Sequence, residues 1–247
     1  MICKEFYIMD DQIRLHAKLE KKNEMEKCPL AIVIHGFTGH MEEDHIIAAC
    51  HAMHKAGLAT LRVEMYGHGG SGGNFMDHTL FKWISNAHAA TDYAKSLDFV
   101  TDLYLCGHSQ GGLLTILVAG MRPDDFKAII PLSPATIILD GAKSGNLLGT
   151  PFDPNHIPDV LKSKDLELSG HYIRAAQYLH IEDGIKRYHG PVLIVHGAAD
   201  QTVPVQYAYD AAALYDNCEL AIIEGDSHCF DYHVDQMAEA IYAFVSK

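Results

Sequence analysis

Gly107-His108-Ser109-Gln110-Gly111 follows the apolar run Leu103-Tyr104-Leu105-Cys106 and precedes a helix-like stretch, Leu113 to Met121. A serine flanked by glycines on a sharp strand-to-helix turn is lifted above a sheet, and the helix N-terminus behind it favours developing negative charge. By residue frequencies alone the five-residue pattern turns up in about one chain in ten of this length, so its context carries the weight. The strand before it and the helix after it predict a nucleophile at Ser109.

Outward from that turn, strand and helix alternate. Leu30 to Ile34, Leu58 to Val63, Ala128 to Leu132, Val192 to Val195 and Leu220 to Ile223 are continuous apolar runs of the kind found in strands buried on both faces. Glu42 to Lys55, Thr79 to Ser96, Val205 to Tyr215 and Val234 to Phe244 carry helical periodicity between or after them. Glu5 to Met9 and Ile13 to Leu19 flank Asp10-Asp11 as an opening antiparallel hairpin. The alternation predicts an α/β fold with a mostly parallel central sheet, helices on both faces, and functional loops at the carboxyl ends of the strands. One domain over residues 1–247 suits the length and a 48% hydrophobic content. Ala135 to Gly190 interrupts the rhythm with Pro151, Pro154, Pro158 and a helical stretch from Tyr172 to Leu179. It is read as a lid or substrate-binding insertion after the sixth strand.

A serine hydroxyl needs a base to take its proton, and that base needs a carboxylate to hold its tautomer. His228 follows the last expected strand in Gly225-Asp226-Ser227-His228, and Asp200 follows the strand before it. The order Ser109, Asp200, His228 is the one this architecture uses. By itself Asp200 would be read as a turn or capping residue ahead of Pro204. Asp226, two residues from His228, is read as shaping its loop, and His35, His68, His108 and His196 as structural. The oxyanion donors expected are the backbone N–H groups of Gln110 and of Phe37, in His35-Gly36-Phe37-Thr38-Gly39.

Other chemistries find less support. Gly67-His68-Gly69-Gly70-Ser71-Gly72 matches a dinucleotide fingerprint, but no helix opens at Gly72 and the preceding strand is not the first of its unit. Seventeen histidines include no HExxH, and His51 and His54 lack a third ligand nearby, so neither metal nor cofactor is expected. A net charge of −13 disfavours nucleic acid. The six cysteines contain no CxxC pair, and the N-terminus reads as neither signal peptide nor membrane anchor, so a cytoplasmic setting is expected. A homodimer is compatible with the sequence and required by nothing in it.

His35-Gly36-Phe37-Thr38-Gly39, Tyr66-Gly67-His68-Gly69, Gly107 to Gly112, Asp200 and His228-Cys229-Phe230 resemble the bacterial feruloyl or cinnamoyl esterases of the α/β-hydrolase superfamily. The resemblance runs along nearly the whole chain and includes Phe152 to Asp159 and Gly170 to Arg174 of the insertion. It implies hydrolysis of hydroxycinnamate esters, such as feruloyl groups on plant cell-wall fragments, with the insertion forming the aromatic acyl pocket. Tyr172 and the neighbourhood of Asp140 match lid positions that meet the phenolic ring in that family. Trp83, the single tryptophan, lies outside the insertion, which leaves Phe152, Tyr172 or Tyr178 for any aromatic wall. Within hydrolases the alternative is a short-chain acyl esterase or monoacylglycerol lipase, given the apolar Ile137-Ile138-Leu139; outside them it is a non-catalytic ligand-binding module.

Overall fold

Side-chain alternation along the central strands decides which helices cover which face of the sheet. In β3 (Cys28–Ile34), Leu30, Ile32 and Ile34 enter one apolar cluster while Ala31 and Val33 enter another. The computed structural model describes residues 1–23, 27–163 and 166–247. The chain opens with β1 (Ile2–Asp10) and β2 (Ile13–Lys21), which pair antiparallel around Asp11. After β3 come α1 (Asp44–Lys55), β4 (Ala59–Val63), α2 (Leu80–Lys95), β5 (Val100–His108), α3 (Gln110–Met121) and β6 (Ala128–Leu132).

The segment after β6 holds α4 (Ile137–Ser144), a small ladder of β7 (Asn146–Leu147) with β8 (Thr150–Pro151), a second of β9 (Val160–Ser163) with β10 (Leu166–Ser169), then α5 (Gly170–Ala176) and α6 (Ile181–Arg187). The chain returns to the sheet with β11 (Val192–Gly197), α7 (Gln206–Ala212), β12 (Cys218–Ile223) and α8 (Val234–Val245). The eight-stranded sheet has the order β1-β2-β4-β3-β5-β6-β11-β12, and only β2 runs against the rest. This is the mostly parallel α/β sheet expected from the alternation, with helices on both faces as the resemblance to α/β-hydrolases implies.

Ile46 and Met53 of α1 pack with Met237, Ile241 and Phe244 of α8 on one face. Trp83 of α2, nearly all of α3 and Ile185 of α6 lie on the other. Helix α3 is buried along its whole length except for Met121, which accounts for its being apolar all round rather than striped. Adjacent strands β3 and β5 send their following helices to opposite faces, and that divergence opens a crevice at their carboxyl ends.

The inserted segment differs in detail from its sequence reading. The helix expected at Tyr172 to Leu179 is α5, shifted toward the N-terminus, because the Ser169 side chain caps it by accepting from His171 N–H at 3.2 Å. α6 was not anticipated, although Glu182 and Asp183 in its first turn and Lys186 and Arg187 in its last match the helix dipole. Strands of two to four residues are too short to show alternation in a sequence. No helix among the described residues is long and apolar enough to cross a membrane.

Candidate active site

The turn at Ser109 is built by close approach of backbones. A Cβ on Gly111 would stand 2.5 Å from the carbonyl oxygens of Ile34 and His35, and one on Gly107 would stand 2.3 Å from the Gly111 carbonyl. The glycines therefore let β3, β5 and α3 converge, and Ser109 between them takes φ +56°, ψ −116°. A non-glycine residue in such a region costs of order 1–3 kcal/mol, held in place by the packing around it. Ser109 is 8% exposed, at the first turn of α3, where N–H groups have no intrahelical acceptor.

Two other loops bring their side chains to this hydroxyl. His228 Nε2 lies 2.9 Å from Ser109 Oγ, and His228 Nδ1 lies 2.6 Å from Asp200 Oδ2. An ionised carboxylate only accepts, so it places the imidazole proton on Nδ1 and leaves the Nε2 lone pair facing the serine hydroxyl. Asp200 is buried; burial penalises its charge, but hydrogen bonds from His196 and His228 outweigh that and hold its carboxyl well below the usual carboxylate range. Its other oxygen accepts the N–H groups of Thr202 and Val203, both at 2.8 Å. One carboxylate thus serves the turn ahead of Pro204 and the histidine together.

Supporting groups set these loops. Asp226, fully buried, accepts from the N–H groups of Ser227 (2.8 Å), Tyr232 (3.1 Å) and His233 (3.1 Å), and so shapes the loop that carries His228. Gly197 lets β11 approach that loop, since a Cβ there would stand 2.3 Å from the Ser227 carbonyl. His108 Nε2 donates to the His228 carbonyl at 2.8 Å. His196 Nε2 donates to the Val203 carbonyl at 2.9 Å and lies 3.1 Å from Asp200 Oδ2. Both histidines keep the structural part that the sequence gives them, and His196 adds a contact to the Asp200 carboxylate, for which the signal is its place four residues before Asp200 at the end of β11.

Phe37 and Gln110 stand on the two loops that flank Ser109, with Gly36 close enough that a Cβ there would meet Ser109 Cβ at 3.3 Å. The Phe37 carbonyl accepts from His68 Nε2 at 2.6 Å, which fixes its peptide from behind. His35 closes the same support, donating from Nδ1 to the Gly36 carbonyl (2.8 Å) and accepting Met65 N–H at Nε2 (3.1 Å). Burial pushes the His35 imidazole down to about 3. The Gly67 to Gly72 turn leads into a 3-10 turn at Phe75–Asp77 rather than a helix, and His68 is its contribution to the site.

The two residues assigned to the lid by resemblance part company. Asp140 lines a cavity of about 570 Å³ with Ile137, Ile138, Leu147, Thr202 and Tyr207, and its Oδ2 accepts the Tyr207 hydroxyl at 2.9 Å. Tyr172 is completely buried outside that lining, packed edge-on against Phe37 (5.5 Å between ring centres), and its hydroxyl donates to Gln110 Oε1 at 2.5 Å. Desolvation pushes the Tyr172 phenol well above its ordinary range. Tyr178 is 72% exposed and faces a groove between α2, α3 and α6. Phe152 is half-buried against the core. His51 and His54 lie on α1 with rings 6.4 Å apart, and His54 Nε2 is engaged by the Thr60 hydroxyl at 2.8 Å.

This arrangement has the parts that acyl transfer needs: a hydroxyl beside an imidazole lone pair and a buried carboxylate behind it, while Ala135, just before α4, donates its N–H to the Ser109 carbonyl at 2.9 Å, and Thr202, two residues after Asp200, lines the cavity that holds Asp140. Comparison with known proteins agrees with it. The family model described as serine aminopeptidase, S33, matches residues 26–172. The structure of Est1E from Butyrivibrio proteoclasticus with ferulic acid bound is 52% identical, covers 97% of each chain and superposes with a TM-score of 0.95. A second Est1E structure from the same organism is 50% identical over 97% of this chain and 96% of that one, with a TM-score of 0.92. Human mitochondrial palmitoyl-protein thioesterase ABHD10 is 27% identical over 200 residues, 72% of this chain; the chain spans 59% of the length of that curated relative.

Proposed function

The chain belongs to the serine aminopeptidase S33 family of α/β-hydrolases, and from that premise we propose that it is a serine carboxylic ester hydrolase releasing hydroxycinnamic acids, ferulate foremost, from their esters. The observation that carries the chemistry is the series of contacts from Asp200 through His228 to Ser109, at 2.6 and 2.9 Å. Ser109 attacks the ester carbonyl as His228 takes its proton, and Asp200 stabilises the imidazolium. The oxyanion meets the N–H groups of Phe37 and Gln110. His228 returns the proton to the leaving alcohol, and water repeats the sequence on the acyl-enzyme to free the acid. Every step uses side chains and backbone of this chain.

The acyl group is assigned to the cavity lined by Asp140 and Tyr207, so segment 135–190 acts as a lid that supplies the acyl pocket within a single domain. Its apolar walls suit a flat ring, and the Asp140 carboxylate suits a phenolic hydroxyl. Tyr172 acts on the reaction from behind, by orienting Gln110. Six free thiols, two of them fully buried, fit a reducing cytoplasmic setting.

The experiment is hydrolysis of methyl ferulate beside methyl esters of aliphatic acids and a monoacylglycerol. Ferulate should be preferred, and Ser109→Ala should lower kcat on the order of 10⁴-fold or more with the fold retained. A preference for aliphatic acyl groups would replace the ferulate assignment by a short-chain acyl esterase or monoacylglycerol lipase. Retained turnover in Ser109→Ala would remove the serine mechanism altogether.

A further inference from the structure

The Gly67 to Gly72 turn opens no helix for a nucleotide, yet it sends one buried histidine beneath the oxyanion loop. His68 is 6% exposed, and both of its ring nitrogens face main-chain carbonyls: Nε2 lies 2.6 Å from the Phe37 oxygen and Nδ1 lies 3.0 Å from the Tyr66 oxygen. We propose that His68 carries hydrogen on both nitrogens, and that this buried imidazolium is a positioning residue for the reaction, aiming the Phe37 N–H at the oxyanion and adding fixed positive charge behind it. The proposal rests on the reading of Ser109, His228 and Phe37 given above.

Donor counting carries the charge. A carbonyl oxygen only accepts, and a neutral imidazole has one N–H, so a neutral His68 would set a nitrogen lone pair against one of the two oxygens. Turning the ring over gives no relief, because ring carbons would then take the places of the nitrogens, inside the C···O separation of about 3.3 Å or more that C–H···O contacts keep. The 2.6 Å contact is also shorter than the usual N–H···O distance of about 2.9 Å, as a charged donor makes it. The Tyr66 oxygen has a second lone pair, which accepts Trp83 Nε1–H at 3.3 Å.

Two further histidines pack against His68, with ring centres 5.0 Å (His35) and 5.3 Å (His78) from its own, and neither opposes its charge. His35 Nε2 accepts Met65 N–H and has no room for a proton there; burial pushes His35 down to about 3 and His78 down to about 4, so both are neutral at pH 7. The charged groups on the surrounding elements are Lys82 of α2, over the Tyr66 ring at 4.2 Å, Asp77 in the 3-10 turn, and buried Glu64 directly after β4. Glu64 accepts Gly70 N–H at 2.6 Å and is paired with His16, which sets a carboxylate at the foot of the turn that carries His68.

Phe37 is thereby held on both sides of its N–H. His35 donates to the Gly36 oxygen, which belongs to the same peptide as that N–H, and His68 donates to the oxygen of the next peptide. A cation buried behind this loop stabilises the negative charge that grows on the substrate oxygen more than it stabilises the uncharged ester. An interaction of that kind acts on kcat rather than on KM.

Neutron diffraction from crystals of the unmodified protein at about pH 7 reads the hydrogens directly: they are expected on both nitrogens of His68, and one bare nitrogen overturns the proposal. In solution, His68→Gln keeps a neutral donor for the Phe37 carbonyl and removes the charge. With active sites counted by a fluorophosphonate, its kcat should fall about tenfold at nearly unchanged KM, less than the loss of an oxyanion donor itself, on the order of 10²-fold. Affinity for a boronic acid, which forms a tetrahedral anion on the serine, should fall by the same factor as kcat. An unchanged kcat, a loss confined to KM, or a loss that vanishes per titrated site would leave His68 a structural residue and overturns its positioning role. If His68→Gln does not fold, the neutron result decides. A protein that cleaves no ester loses the reading of Ser109 instead, and the hydrogens on His68 are still observed.

Discussion

The carboxyl edge of the sheet and the segment between β6 and β11 meet at one serine, but different forces hold them. At the sheet edge, Ser109, Asp200 and the Phe37 loop leave strands that are buried on both faces and hydrogen-bonded to neighbours on both sides. Their loops are then tied by buried groups, with Asp226, His108 and His196 each spending a side chain on backbone or on a neighbour in the site. The inserted segment has ladders of only two and four residue pairs, and is pinned by single side chains: Gln177 to the carbonyls of Ala142 and Pro154, Arg174 to that of Ile157, and Tyr172 to Gln110. Atoms that exchange protons need positions fixed within a fraction of an ångström, whereas a pocket that admits a substrate needs a part able to open at lower cost.

That contrast is broken most severely at the sheet edge. Asp200→Asn should lower kcat by about 10⁴-fold, because an amide cannot hold the imidazole tautomer that faces Ser109. Thermal unfolding should move far less, since Oδ1 can still accept from Thr202 and Val203. A kcat within tenfold of wild type would show that the tautomer of His228 is held without Asp200.

Next comes the pin between the two regions. Tyr172→Phe leaves Gln110 Oε1 buried without its donor and should cost about 1–3 kcal/mol in chemical denaturation, with a smaller fall in kcat than in Asp200→Asn. An unchanged denaturation midpoint would mean that the insertion is not anchored through this contact.

Acid should loosen the sheet side over a defined window. Burial holds the imidazoles of His35 near 3 and of His45 and His78 near 4, below the ordinary 6.5. Between those limits the unfolded chain binds protons that the folded chain refuses. Their stabilising contribution is therefore complete above about pH 6.5 and lost as pH falls toward 4, at up to about 1.4 kcal/mol per pH unit for each histidine. Asp200 adds nothing in this window, because its depressed carboxyl loses its contribution only below the ordinary carboxylate range. Urea unfolding at pH 7.5, 6 and 5 checks the slope, and a flat profile would contradict the burial of these rings.

The smallest effect belongs to the insertion. Asp140→Asn should raise KM for methyl ferulate about threefold and leave the 4-methoxy analogue nearly unchanged, the scale of one modest hydrogen bond. Equal changes for both would mean that the carboxylate meets Tyr207 and no ring hydroxyl.

Ser109 and its flanking strand and helix could be read because a tight elbow demands glycines at fixed spacing, and the central strands because burial on both faces leaves unbroken apolar runs. The insertion was legible only as an interruption: β7 to β10 are too short for periodicity, and α5 begins before its apolar positions do. Tyr172 was marked by resemblance as a ring contact, but its hydroxyl is engaged by a residue 62 positions away, a distance no local pattern spans.

What residue order determined, then, is the parallel sheet, the elbow at Ser109, and the loops on which Asp200 and His228 ride, since each follows from local spacing and the sign of burial. What only the tertiary structure decided is which side chains meet: His196 on Asp200, His108 under His228, and Tyr172 on Gln110. Those contacts join loops at the ends of different strands, and their distances depend on how the sheet twists and the helices pack rather than on any neighbour in the chain.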